Sequence, residues 1–140
     1  MSVYLDACVL VPLFVEEAKS AAVRRFIDDK ADLVISAFGV GEFSAALSRH
    51  VRMGEVSAER ATDRISVFDV WLASDVSVVA LDDTIVPDAI ALVRQFALKL
   101  LMPDAIHLAL CMRNGLSLAT LDDRLAKAAR GIGLEVVVPG

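Results

Sequence analysis

Short apolar runs alternate with longer amphipathic segments along the whole chain, and this alternation constrains the fold more than any other feature. The segments between the runs carry apolar residues at helical spacing. Alternation of this kind predicts an α/β domain with a central, mainly parallel sheet of about five strands and helices on both faces. The predicted strands cover residues 2–5, 32–36, 76–81, 116–120 and 134–138.

The helical segments have recognisable starts and ends. Gly54 ends a helix predicted at residues 38–53, and Ser57 is placed to cap the next helix, which runs to about residue 73. In the segment 82–98, Pro87 is expected in the first helical turn. The remaining helices are predicted at residues 19–30, 103–114 and 122–130.

The opening segment, MSVYLDACVLVPLF, is interpreted as the first strand. It lacks a basic start and carries Asp6 inside its apolar run, so it does not resemble a signal peptide. The later runs VVAL and LEVVV are continuously apolar, which predicts strands that are buried on both faces of the sheet.

Composition bounds the class of protein. The 140 residues are 56% hydrophobic, which excludes intrinsic disorder and suits one domain over residues 1–140. No apolar stretch approaches the about 20 residues that a membrane span needs. Cys8 and Cys111 form no disulfide framework, which favours a reducing, cytoplasmic setting. The net charge of −5 argues against non-specific coating of nucleic acid, but metal-binding carboxylates would leave a nuclease possible.

Acidic side chains follow the predicted strands where the strands end. Asp6 comes directly after the first strand, and Asp122 follows the fourth. Asp104 opens a helix behind Pro103, and Glu42 lies in the apolar stretch GVGEFSAAL. Because the carboxyl ends of parallel strands share one edge of a sheet, these carboxylates are expected to converge there. Clustered carboxylates repel one another unless a cation lies between them, and an all-oxygen set favours Mg²⁺ or Mn²⁺.

Each acid also has a purely structural interpretation. A helix cap is as good an explanation as a site for Asp6 and slightly better for Asp104. Capping is favoured more strongly for Asp122, because Asp123 beside it shows that acids are common there. Glu42 is predicted to be buried, and a buried carboxylate needs a partner such as an arginine or a metal.

Other catalytic patterns are missing from the sequence. Neither cysteine pairs with a nearby histidine in a zinc-ligand pattern, and no HExxH, phosphate-loop or serine-hydrolase motif occurs. His50 and His107 are interpreted as surface or helix-packing residues. His107 is the slightly better candidate for a catalytic base, because it lies one turn after Asp104.

Taken in order, the acidic motifs resemble those of the PIN-domain ribonucleases, and among them the VapC-type toxins of toxin–antitoxin pairs. The family combines a first strand ending in Asp, a helical Glu after the second strand, a helix that opens with Asp, and a strand followed by Thr and Asp. The corresponding segments here are VYLDACVLVPLF, VISAFGVGEFSAALSR, MPDAIHLALC and LATLDDRLAKAARGIGLEVV.

The resemblance implies a PIN-like three-layer fold and a Mg²⁺- or Mn²⁺-dependent endoribonuclease. Asp6 and Asp104 match the residues that hold the cation, and Asp122 matches an assisting acid. Glu42 matches the acid that holds a second cation or a water molecule, and Thr120 matches a supporting hydroxyl.

One position departs from the family pattern. The family often has Ser or Thr two residues after the first Asp, and this chain has Cys8. A thiol is a weak donor, so the hydrogen bond that would orient Asp6 is expected to be weakened.

The resemblance also implies partners: an RNA substrate that is single-stranded or looped, a second copy of the chain in a homodimer, and a cognate antitoxin whose arginine enters the acidic site. Candidate contacts to the RNA backbone are Arg49, Arg52, Arg124 and Lys127. The alternative interpretation of each is a solvated surface charge. An apolar set that forms either an antitoxin groove or ordinary core comprises Val11, Leu13, Phe14 and Val15.

One rival function lies within the same family, and two others come from different classes. A housekeeping RNA-processing nuclease of the same family shares the chemistry of a toxin. A non-catalytic PIN-like module would bind RNA or protein, although all the matching acids are present. A phosphatase of the haloacid-dehalogenase type needs a second Asp where Cys8 stands, so it ranks low.

Overall fold

The computed structural model describes residues 2–30 and 32–140. In this part of the chain an all-parallel, five-stranded sheet has the strand order β3-β2-β1-β4-β5. This architecture confirms the predicted α/β class and the approximate number of strands. The strands are β1 (Val3–Leu5), β2 (Leu33–Ser36), β3 (Ser77–Val79), β4 (Ser117–Ala119) and β5 (Val136–Val137).

Helices follow the strands in the predicted alternation. Ser57 caps α4 by accepting a hydrogen bond from the backbone N–H of Arg60, as its position in the sequence predicts. The helices are α1 (Ala7–Phe14), α2 (Ser20–Asp28), α3 (Ala37–Arg52), α4 (Ala58–Ser74), α5 (Ile85–Val93), α6 (Met102–Asn114) and α7 (Asp123–Gly131), with a 3₁₀ turn at Phe96–Leu98.

The core has one apolar cluster on each face of the sheet. Successive strand residues point to opposite faces, so Tyr4 joins one cluster while Val3 and Leu5 join the other. The cluster around Tyr4 packs against α5, α6 and α7, and the other cluster packs against α1, α2, α3 and α4. None of the described helices combines the length and the apolar character that crossing a membrane requires.

The opening segment differs from the prediction, because only Val3–Leu5 is a strand and Ala7–Phe14 forms a helix. The α1 sequence is apolar on every side: the helix packs against α2, α3 and α4, and it buries Val9 and Leu10 fully. A helix without a polar face shows no helical periodicity, and it reads as a continuation of the strand.

Two further expectations were wrong. The apolar runs VVAL and LEVVV belong to the edge strands β3 and β5, and Val78 is 46% exposed. The segment 82–98 is not one helix: α5 begins at Ile85, with Pro87 in its first turn as predicted, and ends at Val93. Lys99, which follows the 3₁₀ turn, has a left-handed backbone with φ of 54°.

Candidate active site

Asp6 lies directly after β1, at the N-cap position of α1. Its side chain caps no backbone N–H of that helix, so the capping interpretation of Asp6 is wrong. Instead, its Oδ2 atom accepts hydrogen bonds from Thr120 Oγ1 and Cys8 Sγ, both at 2.9 Å. Asp6 is 7% exposed as a residue, and its Oδ1 atom, which takes part in neither hydrogen bond, lies 3.6 Å from Nε2 of His107.

The thiol of Cys8 makes the contact that a hydroxyl makes in the family pattern. Burial, followed by the charge of Asp6, raises the pKa of Cys8 to about 12. The thiol therefore stays protonated near neutral pH and can donate to Asp6. The hydrogen bond from Cys8 to Asp6 is present. The expected weakening concerns only its strength, since a thiol is a weaker donor than a hydroxyl.

Thr120 connects two of the acids. Its hydroxyl donates to Asp6 and accepts a hydrogen bond of 3.0 Å from the backbone N–H of Asp122. The side chain is fully buried at the end of β4, next to the end of β1. The parallel register of the two strands thus brings Asp6 and the start of α7 to the same edge of the sheet.

Glu42 projects from α3 toward α6. Its side chain is 30% exposed, so the prediction of a buried Glu42 was wrong. Its partner among the described residues is a histidine and not an arginine, because Oε1 pairs with Nε2 of His107. Glu42 therefore has one satisfied oxygen on the protein side and partial access to solvent.

His107 is a functional candidate to which the sequence interpretation gave little weight. It is 1% exposed, it lies one turn after Asp104 on α6, and its Nε2 atom is 3.6 Å from Oδ1 of Asp6. The surface interpretation of His107 was therefore wrong, whereas the helix-packing one agrees with its contact to Phe38 on α3. Only its spacing from Asp104 signalled a role in the sequence. His50, by contrast, is partly exposed and pairs with Glu55 at 2.8 Å.

A buried chain of hydrogen bonds supports His107 from the sheet. Nδ1 of His107 is 2.6 Å from the hydroxyl of Tyr4, which is 2.7 Å from Oγ of Ser36. Ser36 caps α3 by accepting from the backbone N–H of Gly39 at 2.9 Å. Neither Tyr4 nor Ser36 was singled out from the sequence, since each lies within an otherwise apolar strand.

Opposing effects act on the ionisation of His107. Burial lowers the pKa of the imidazole, but the hydrogen bond to Glu42 and the charges of Asp6 and Glu42 raise it, and the net direction is upward. The Nε2 atom carries a hydrogen toward Glu42 in the protonated ring and in one neutral tautomer. In both forms His107 holds the Glu42 carboxylate in place.

Donor atoms of Asp6, Glu42 and His107 lie within 4.8 Å of one another, and we call these residues the carboxylate–histidine cluster. Asp104 and Asp122, which were also expected at the site, fall outside it. Burial, then the charges of Asp6 and Asp122, raise the pKa of Asp104. The structure thus brings Asp6 and Glu42 together and leaves Asp104 and Asp122 outside the carboxylate–histidine cluster.

Asp122 performs the structural role that its position predicts. Its Oδ1 atom accepts from the backbone N–H groups of Arg124 at 2.9 Å and Leu125 at 3.3 Å, so Asp122 caps α7. Its other oxygen is not used by the cap. Asp123 is exposed and is the first residue of α7.

The donor set suits a hard divalent cation. Asp6 and Glu42 offer carboxylate oxygens within 4.8 Å of each other, and the charges of Asp6 and Asp122 add to burial in raising the pKa of Asp104. A cation would relieve that repulsion. The described part of the chain therefore contains an acidic group able to hold a metal ion.

The chain is similar to known proteins over nearly its whole length. The sequence matches the family model of the PIN domain over residues 3–131. Ribonuclease VapC46 of Mycobacterium tuberculosis is 35% identical over 141 residues, which cover 99% of this chain and 98% of that protein. Ribonuclease VapC35 of the same species is 30% identical over 145 residues, covering 99% and 97%.

Solved structures show the same fold at low sequence identity. VapC20 of M. tuberculosis, described as a sarcin–ricin loop cleaving toxin, gives a TM-score of 0.72 at 19% identity and covers 91% of this chain and 95% of that one. DNA-bound VapBC from Salmonella typhimurium gives a TM-score of 0.72 at 14% identity, with coverage of 100% and 99%. Because the family model spans most of the chain and a 35% identical relative spans nearly all of it, this protein belongs to the PIN-domain family, among its VapC-type ribonucleases.

Proposed function

We propose that this VapC-type endoribonuclease hydrolyses RNA phosphodiester bonds at the carboxylate–histidine cluster, using Mg²⁺ or Mn²⁺. The observation that carries the proposal is the convergence of Asp6 and Glu42 donor atoms within 4.8 Å at the carboxyl end of β1. Asp6, Glu42 and Asp104 would hold the cation, with Asp122 assisting through the oxygen that its cap does not use.

A bound divalent cation supplies Lewis-acid chemistry here, since it makes water more acidic and offsets the charge that develops on phosphoryl oxygens. The protein contributes preorganisation. Thr120 and Cys8 bind one oxygen of Asp6 and leave the other directed into the cluster. His107 holds Glu42 through Nε2 and is itself held by Tyr4 through Nδ1. Ligand oxygens held in this way need little rearrangement when the cation and the substrate arrive.

The substrate is proposed to be single-stranded or looped RNA. Asp6 is 7% exposed and therefore recessed below the surface, so the RNA strand has to bend for its scissile phosphate to enter the site. A flexible strand can do this more readily than a regular duplex.

We also propose that the enzyme is the toxin of a toxin–antitoxin pair and that it forms a homodimer. Structural neighbours include a toxin–antitoxin complex from Klebsiella pneumoniae, with a TM-score of 0.69 at 21% identity. In this chain Leu13, Phe14 and Val15 line a cleft of about 620 Å³ beside α1. Phe14 also packs edge-on against Phe43 and is half-buried, so this apolar run serves both the core and the cleft. The cleft is the surface that we assign to an antitoxin segment.

The nuclease proposal is tested with purified protein and a panel of ribosomal, transfer and synthetic RNAs. We expect cleavage with Mg²⁺ or Mn²⁺, none in EDTA, and a loss of about 100-fold or more in rate for Asp6→Asn and Asp104→Asn. Equal cleavage by these variants, or cleavage in EDTA, contradicts the mechanism.

Two variants separate ligand roles from structural ones. Asp122→Asn keeps a residue that caps helices as well as Asp does, so any loss of cleavage reports the charge and not the cap. Asp123→Asn is the matched control, because Asp123 is an exposed neighbour of the same charge. We expect its activity to stay within about twofold of wild type.

The rival functions leave different signatures. A small gene directly upstream, whose product binds this protein and stops cleavage, distinguishes a toxin from a housekeeping RNA-processing nuclease. A non-catalytic module would cut none of the RNAs and would show no metal binding in calorimetry.

A further inference from the structure

A cleft of about 450 Å³ lies between α7 and the segment that joins α5 to α6. Its charged lining residues are Lys99, Arg124 and Lys127, and no acidic residue lines it. Small or apolar residues complete the lining: Ala97, Leu98, Ala128 and Gly131. The cleft is therefore positively charged in a protein whose formal net charge is −5.

The backbone holds Lys99 at the edge of this cleft. Leu98 and Leu100 on either side pack against the core, while Lys99 itself is exposed. Lys99 has a φ of 54°, a left-handed conformation that costs a residue other than glycine free energy. A Cβ on Gly131 would lie 3.4 Å from Cδ2 of Leu98, so α7 and this segment are in van der Waals contact there. The position of Lys99 is thus set by packing on both sides.

Both walls of the cleft continue directly into the proposed active site. Lys99 lies five residues before Asp104, which is in the first turn of α6. Arg124 lies two residues after Asp122, and its backbone N–H donates to the Asp122 carboxylate at 2.9 Å. The positive cleft therefore adjoins the acidic site at the point where α6 and α7 begin.

The three cations of the cleft are available to a ligand. Within residues 2–30 and 32–140, none of them belongs to an ion pair shorter than 4.0 Å; the arginines that do are Arg24 and Arg113. Asp123 is one helical turn from Lys127, but it does not line the cleft. Unpaired cations that line one concave surface fit a chain of phosphates better than a single small anion.

We propose that this basic cleft, formed by Lys99, Arg124 and Lys127, binds the phosphate backbone of the RNA strand on one side of the scissile bond. The inference rests on the proposed ribonuclease function and adds the path by which the strand reaches the acids. Contacts to phosphates position a strand without reading its bases, so the cleft contributes affinity and not sequence preference.

The test compares two triple variants that remove the same charge. The cleft variant is Lys99→Gln/Arg124→Gln/Lys127→Gln, and the control is Lys19→Gln/Arg25→Gln/Lys30→Gln. The control residues are exposed and lie on or beside α2, which packs on the opposite face of the sheet. Circular dichroism and melting curves establish that both variants fold.

Binding is measured by fluorescence anisotropy with a single-stranded RNA of random sequence, in EDTA and over a series of salt concentrations. Each phosphate contact to a single strand contributes about 0.7 to the slope of log K against log salt. We expect the cleft variant to bind about tenfold or more weakly at low salt and to lose about 2 units of slope. The control should keep the wild-type slope. Equal losses of affinity and slope in both variants would mean that only net charge matters, and that outcome overturns the proposal that the cleft binds RNA.

Cleavage in the presence of Mg²⁺ separates the two proposals. The cleft variant should raise KM and keep kcat, whereas Asp104→Asn should lose kcat. If wild type cuts RNA and the cleft variant binds and cuts like the control, the cleft proposal fails alone. If wild type cuts nothing but the cleft variant still loses affinity and slope, the nuclease proposal fails and the binding cleft stands.

Discussion

His107 joins the sheet to the acids through contacts made at both of its ring nitrogens. Nδ1 meets the hydroxyl of Tyr4, Nε2 meets Glu42, and the ring packs against Phe38. When Nδ1 of His107 carries no hydrogen, the hydroxyl of Tyr4 can donate to it, and Ser36 can donate to Tyr4. Every fully buried side-chain nitrogen and oxygen in the described part of the chain has a hydrogen-bond partner. Removing one member therefore leaves a neighbour unpaired in a low-dielectric environment.

Tyr4→Phe is expected to destabilise the fold by about 1–3 kcal/mol, because Ser36 and Nδ1 of His107 lose their shared partner. The free energy of unfolding is measured in urea with EDTA present. In a double-mutant cycle with Ser36→Ala, the double variant should lose less than the sum of the single losses, since both changes remove the same hydrogen bond. A loss below about 0.5 kcal/mol for Tyr4→Phe would show that this hydroxyl does not support the site.

Helix α6 carries both Asp104 and His107, so the geometry of the site depends on where this helix begins and ends. It starts three residues after the left-handed Lys99 and ends at Gly115, whose φ is 65°. Residues 105–111 are all buried, so the middle of the helix is held by packing on every side. The two ends and the buried middle together aim Asp104 and His107 at the end of β1.

Two glycine substitutions should change stability in opposite directions. Gly115→Ala forces a side chain into the left-handed region and should cost about 1–2 kcal/mol. Gly41→Ala lies within α3, where an added Cβ meets nothing within 4 Å, and should stabilise by about 0.5–1 kcal/mol. Urea unfolding of the two variants checks this, and a change of the same sign in both would contradict the assignment of Gly115 as the helix end.

At the scale of the whole molecule, the parallel sheet gathers negative charge at one edge. Strands β1 and β4 lie side by side in parallel register. Asp6, directly after β1, therefore lies beside Thr120 and Asp122, which follow β4. The charges of Asp6 and Asp122 both raise the pKa of Asp104, after burial. In the absence of a cation this arrangement opposes folding.

The upward pKa shift of Asp104 makes the contribution of this residue to the free energy of unfolding depend on pH. The contribution of a group whose pKa is raised on folding is fully present below its unfolded value, near 3.8 here, and is lost as pH rises through the folded pKa. Asp104→Asn should therefore be more stable than wild type at pH 7 in EDTA. Because Asp104 is half-exposed and screened by solvent, we expect a gain of about 1 kcal/mol or less.

This gain should shrink as the pH falls toward 4, and thermal unfolding at both pH values measures it. Millimolar Mg²⁺ should raise the melting temperature of wild type more than that of Asp104→Asn, since the cation binds only the folded site. Asp123→Asn serves as the control. A stabilisation that is the same at both pH values would show that charge repulsion is not the cause.

The sequence by itself determined the order of strands and helices, the parallel sheet, and the meeting of Asp6 with Glu42. Such features follow from local signals: periodicity, caps such as Ser57 and Asp122, and the position of an acid relative to a strand end. The helical nature of α1 escaped prediction, because its sequence is apolar throughout and shows no polar face.

Only the tertiary structure decided which strands lie at the edges, how exposed Glu42 is, and what binds it. The contact between Tyr4 and His107 joins residues 103 positions apart, and the one between His107 and Glu42 joins residues 65 apart. Tertiary structure also left Asp104 and Asp122 outside the carboxylate–histidine cluster. No periodicity or spacing encodes contacts of this kind, because they depend on how whole helices pack across the sheet.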